Sequence, residues 1–361
     1  MNTMLNTMRY RLLPLFSFSS VLFLGACVQL PVSALSAKVV TLVGNAMPGS
    51  TDGQGREARL NRPHGISLLP DGRLLVADRG NHTIRIVDPE GATRTLAGGG
   101  NAGFAEGRGT EALFNEPIAV VADRKGNIFV ADRNNHRIRR MAADGTVTTV
   151  AGNGNAGYAD GASRQAKFNQ PYGVALDDAE ITLYVADYLN HAIRIISLLS
   201  GEVSTLAGNG TAGFTDGAGT TASFNQPYNL KNDGHGALIV PDQNNHAVRR
   251  VGMNGMVTTL AGSGSAGYAG GKGQDAKFDN PTGAVADANG TVFVADRNNH
   301  RVRRLGTDGM VTTLAGTGEA GLADGSAAQA QFNRPLDVAV SPDGKILVSE
   351  ENNHSIRAIT P

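Results

Sequence analysis

The chain has 361 residues, with 32 Lys and Arg against 32 Asp and Glu, one cysteine and no tryptophan. A formal net charge of zero excludes a chain-wide electrostatic footprint for nucleic acid, and one cysteine excludes an internal disulfide framework. With 41% apolar residues the chain must rely on burial, and it is long enough to do so.

Arg9 and Arg11 precede an apolar stretch from Leu12 to Leu24, the pattern of an export signal. The following Leu24-Gly25-Ala26-Cys27 resembles a bacterial lipobox, which implies a signal peptide over 1–26 and lipidation of Cys27. Val28 at the next position, in place of Asp, points by that resemblance to the outer membrane, facing the periplasm. Residues 27–37 are then the lipidated N-terminus and a short linker. Ten residues from Val28 to Ala37 span at most about 35 Å.

From residue 38 onward the sequence repeats. His82, His136, His191, His246, His300 and His354 follow one another at 54, 55, 55, 54 and 54 residues, and residues 38–361 make six units of 54. A period of this length with several short strand patterns per unit predicts an all-β propeller. The second unit shows the order: Phe114-Asn115-Glu116-Pro117, apolar runs at 118–123 and 128–132, Asn134-Asn135-His136, then 137–141 and 146–152. Val- and Ile-rich runs bounded by Gly, Asn and Asp predict four strands per blade. The last unit lacks its fourth strand, and Val39 to Gly44 has that strand's pattern, so the N-terminal strand should close the ring and leave no open sheet edge.

The Phe-Asn-x-Pro, Val-Ala-Asp and Asn-His-x-Ile-Arg elements resemble the NHL-repeat family of six-bladed propellers. That resemblance covers residues 38–361 and implies a fold used for many unrelated tasks, so function must be argued from a site. The repeated arginines Arg85, Arg139, Arg194, Arg249, Arg303 and Arg357 are expected to pair with the strand-end acids Asp78, Asp132, Asp187, Asp242, Asp296 and Glu350.

Two motifs are read as structural. The Gly-x-Gly-x-x-Gly loops, such as Gly152-x-Gly154-x-x-Gly157, follow a strand and open no helix, so they lack the context of a dinucleotide site. The six turn histidines lie too far apart on a six-fold ring to share an ion, whose ligands sit at about 2 Å. They are expected to hydrogen-bond within their own blades.

Alternating strands put the long inter-blade loops and the second-to-third-strand turns on one face, where function is expected. Repeats need only packing residues at equivalent positions, so departures mark candidates. Directly after the repeated proline stand His64, Ile118, Tyr172, Tyr228, Thr282 and Leu336. One position later, Asn229 and Asp337 interrupt a series of Gly and Ala. Blade four adds Lys231 and Pro241. Lys231 should meet a charge, with Asp337 the candidate across the channel, or its strand should deviate. His64, Tyr172, Tyr228, Asn229, Lys231 and Asp337 are therefore the candidate ligand-binding residues.

Together these features read as a lipid-anchored, non-catalytic binding scaffold of a bacterial cell envelope. Its partner is a protein, glycan or small molecule, with no nucleic acid, and no cofactor is expected. The alternative is a metal-dependent lactonase or hydrolase resembling the gluconolactonase propellers. It would hold Ca or Zn in the channel mouth, with Asn229 and Asp337 as the available ligands, although a calcium site needs six or more oxygens.

Overall fold

The computed structural model describes residues 37–360; the expected signal segment and Cys27 lie outside the described residues. Six antiparallel sheets form the six blades of a propeller. Blade two is representative: Pro117–Ala122 is innermost, followed outward by Ile128–Asp132, Arg137–Met141 and Thr146–Ala151. Each blade also carries a two-residue fifth strand at its outer edge, contributed by the loop that leads into that blade, as with Gly107–Arg108. Those loops strap the outer strand before turning inward, an edge protection the strand patterns alone do not reveal.

Ring closure is as expected. Lys38–Val43 pairs with Ser355–Thr360, Val39 opposite Ile359 and Val40 opposite Ala358, so the first strand of the fold completes the last blade. Val39 and Val43 are fully buried there. Phe114, Phe168, Phe224, Phe278, Phe332 and Leu60 plug the seams between blades and are also fully buried.

The six repeated arginines are among the largest wholly buried side chains. Each pairs with its strand-end acid, at 2.7 Å for Arg85 with Asp78 and 3.0 Å for Arg357 with Glu350. A charge can remain in such a place only if its hydrogen-bonding capacity is filled. Around Asp187 it is: Arg194, the Asn190 amide and the Asn169 backbone N–H all donate to it within 2.8 Å. Arg194 also lies over the Phe168 ring at 5.3 Å.

The histidines correct one expectation. Each sits in the left-handed region, near +50° in φ, at the end of its turn. Its Nδ1 accepts from a backbone N–H of the next blade: Glu116 N to His82, Gln170 N to His136, and so on to Arg62 N with His354. The donor residues precede the repeated prolines and are themselves at positive φ. An acceptor inside the same blade could not hold this corner, whereas an acceptor on the neighbour fixes the strained loop and the blade packing together. Burial lowers the pKa of all six histidines, which suits an accepting Nδ1.

Candidate functional site

The inner strands run from the loop-rich face toward the face of tight turns, so successive residues on them form levels down the axis. At the first level, the residues after the prolines converge. His64 Nε2 lies 2.8 Å from the Tyr228 hydroxyl and the rings stack at 5.3 Å. Tyr172 packs on Tyr228 at 4.7 Å and on Tyr188 at 4.1 Å. Together with Ile118 these rings close the channel at its loop-rich end. His64 is held neutral, its pKa pushed well down by burial and by Arg79, Arg297 and Arg133.

One level deeper the small residues have a clear purpose. A Cβ on Gly283 would lie 2.5 Å from the Asp337 Cα, and one on Gly173 would lie 2.8 Å from that of Asn229. Neighbouring inner strands touch there, so every larger residue needs a small one beside it. Asn229 and Asp337 fold back on their own strands, accepting from the Leu230 and Val338 N–H groups at 2.8 Å. Blade four does deviate: its inner strand is reduced to Lys231–Asn232, and Pro241 in the adjacent strand has no N–H for the ladder.

Lys231 also meets its charge. Its Nζ is 3.0 Å from Asp337 Oδ1 and donates to the Ile66 and Val338 carbonyls at 3.1 and 2.5 Å. All three ammonium protons are thus used. Asp337 accepts in turn from Ile66 N at 2.8 Å. The pair ties blade four to blades six and one, across a cavity of about 230 Å³ walled by Ile66, Val120, Val174 and Ala339. Burial raises the pKa of Asp337, with Lys231 opposing it. The six candidate residues therefore divide into an aromatic plug of His64, Tyr172 and Tyr228, a mutually satisfied pair of Lys231 and Asp337, and Asn229, whose carbonyl oxygen folds back on its own strand. Ser349 links them, donating to the His64 carbonyl and accepting from Asp337 N. Among the described residues, no group of three or more His, Cys, Asp or Glu side chains is gathered as a metal site.

Above the plug lies a feature that the post-proline positions do not reach. The residue after each strand-end acid opens a short turn facing the axis, and around the ring these are Arg79, Arg133, Tyr188, Gln243, Arg297 and Glu351. Arg297 reaches Glu351 at 2.7 Å; Arg79 reaches Glu351 at 3.5 Å and Glu116 at 3.2 Å. Glu116 also pairs with Arg133, which bonds Gln170 and lies over the Tyr172 ring at 5.2 Å. Burial would raise Glu116 and Glu351, but the arginines hold both carboxyls below their ordinary range. Blades three and four complete the rim without charge: the Tyr188 hydroxyl contacts Gln226 and Gln243 at 2.8 and 3.0 Å. Burial and the nearby Tyr172 push the Tyr188 phenol up to about 12.

The family model "NHL repeat" matches residues 60–87, 114–141, 278–305 and 332–359, in blades one, two, five and six. The chain is 31% identical over 297 residues to Protein SUPPRESSOR OF QUENCHING 1, chloroplastic, of Arabidopsis thaliana, covering 76% of this chain and 28% of that protein. It is 29% identical over 331 residues to NHL repeat-containing protein 2 of Gallus gallus, covering 80% and 44%. It therefore spans less than half the length of these relatives. The fold also matches an auxiliary nutrient binding protein from Bacteroides ovatus, with a TM-score of 0.68, 17% identity and coverage of 91% of this chain and 77% of that one. The repeat and the six-sheet fold agree with these matches, and the chain is an NHL-repeat six-bladed β-propeller.

Proposed function

We propose that this propeller is a non-catalytic binding scaffold of a bacterial cell envelope, held to the membrane through a lipidated Cys27, and that it binds at the rim of its loop-rich face. The observation that carries the reading is the break in six-fold symmetry at that rim. The buried Arg–acid pair recurs in every blade because every blade must fold. Charged side chains alternate in sign from Arg297 through Glu351, Arg79 and Glu116 to Arg133, over blades five, six, one and two, and give way to phenol and amide over blades three and four. Packing does not require that difference. Tyrosine and arginine at the centre of a face are also the side chains that dominate binding energy at interfaces. The likeness to a nutrient binding protein supports a binding role for this fold.

Arginine-selective dicarbonyl labelling tests the reading. Arg133 and Arg297 should label in the purified chain and be protected in isolated envelopes. Arg94, Arg140 and Arg304, exposed on outer regions of the blades, should label equally in both. Equal labelling of the rim in both preparations would overturn the proposal.

A further inference from the structure

The geometry points to a carboxylate as the group the rim recognises, presented on an apolar or aromatic body. This rests on the rim being the binding surface and adds the chemistry of what it binds.

Three guanidiniums, Arg79, Arg133 and Arg297, share only two carboxylates, and Arg334 approaches one of these, Glu351, at 3.9 Å. Each guanidinium carries several N–H donors in a planar fork, so the donors outnumber the resident carboxylate oxygens that can take them. A planar carboxylate accepting two parallel N–H bonds matches such a surplus. The excess is small, however, one positive charge across the axis or two with Arg334. A phosphate dianion would lie beside Glu116 and Glu351 at a repulsive cost that a single carboxylate charge halves.

The floor supplies the second half of the specificity. Tyr172 and Tyr188 stack at 4.1 Å, and Tyr228 completes an aromatic surface whose hydroxyl is already bound to His64. Tyr172 and Tyr228 are each only 5% exposed, so the ring open to a ligand is Tyr188, and an apolar body laid against it would lie over blade three, where the rim has no charge to desolvate. Its carboxylate would then reach toward Arg133 on one side and Arg297 on the other. The same group comes from a free small acid or from the C-terminus of a protein chain, and the two differ only in the body that bears the carboxylate.

Three of the seven tyrosines lie at this site and the chain has no tryptophan, so ultraviolet difference absorption reports on it. The full chain in detergent is titrated with cyclohexanecarboxylate, its carboxamide, inorganic phosphate, and a tetrapeptide Ala-Ala-Ala-Leu as free acid and as C-terminal amide. A saturable tyrosine signal is expected with the acids, at least about tenfold weaker with the amides and with phosphate. A tighter peptide acid identifies a chain terminus as the source, and a tighter small acid identifies a free metabolite. Arg133→Gln and Arg297→Gln should each weaken the acid about tenfold or more, while Arg94→Gln, on an outer strand, should not. Equal response to acid and amide, or an acid response unchanged in both rim variants, overturns the inference. If rim arginines are still protected in envelopes, the binding face stands and only the ligand class fails.

Discussion

Lys231 and Asp337 should depend on each other, and a double-mutant cycle measures by how much. Asp337 is 1% exposed and the Lys231 side chain 18%, so neither charge is hydrated well enough to stand alone. Breaking a buried ion pair from one side costs about 3–5 kcal/mol. Asp337→Ala should fall at the low end, about 3 kcal/mol, because Lys231 keeps two backbone carbonyls. Lys231→Met should cost about 2–3 kcal/mol near neutral pH. The double variant should cost less than the sum of the singles, by about 1–3 kcal/mol.

Acid adds a second signature. Burial raises the folded pKa of Asp337 above its unfolded value, more so without Lys231, so the folded state of Lys231→Met binds the extra proton. Its stability then grows as pH falls through the folded pKa toward the unfolded value of about 3.9. The deficit of Lys231→Met in urea midpoints should therefore shrink between pH 7.5 and 5. Additive single effects, or a deficit that widens in acid, would refute a mutually dependent charged pair.

Deleting residues 38–43 removes buried Val39 and Val43 and uncovers Ser355–Thr360. At about 1.5–3 kcal/mol per buried side chain, the melting temperature should fall by about 10 °C or the protein aggregate, as calorimetry or light scattering would show. Gly283→Ala places a Cβ against the Asp337 backbone and should cost about 1–3 kcal/mol, measured by urea unfolding. The turn histidines are depressed in pKa by burial, so their inter-blade bonds contribute fully above about pH 6.5 and are lost as pH falls below it. Wild type should thus lose more stability from pH 7.5 to 5.5 than His136→Asn, which keeps a residue tolerant of positive φ but gives up that proton-sensitive acceptor.

The 54-residue period, the strand patterns and the missing last strand made the propeller and its closure legible, because each depends on local spacing alone. The arginine and strand-end acid were legible too, seven residues apart in one hairpin. The histidine bonds were not: His82 and Glu116 lie 34 residues apart, and which blade supplies the donor depends on how blades pack. Lys231 and Asp337 stood out by breaking the repeat, but their role as a closed pair became visible only with the Ile66 and Val338 carbonyls in place. The rim could have been found by reading the position after each strand-end acid, where Arg, Arg, Tyr, Gln, Arg and Glu replace a constant residue. The pairings along it could not, since Arg79 meets Glu351 only across the closure of the ring.

Ligand binding at the rim of the loop-rich face leaves a signature that can be read in living cells. A photo-crosslinking amino acid is placed at Asn244, exposed beside Gln243 on that face, and separately at Asp343, exposed in a tight turn on the other. Binding at the rim gives a discrete adduct from Asn244 and none from Asp343; adducts from Asp343 alone would place the binding face on the other side.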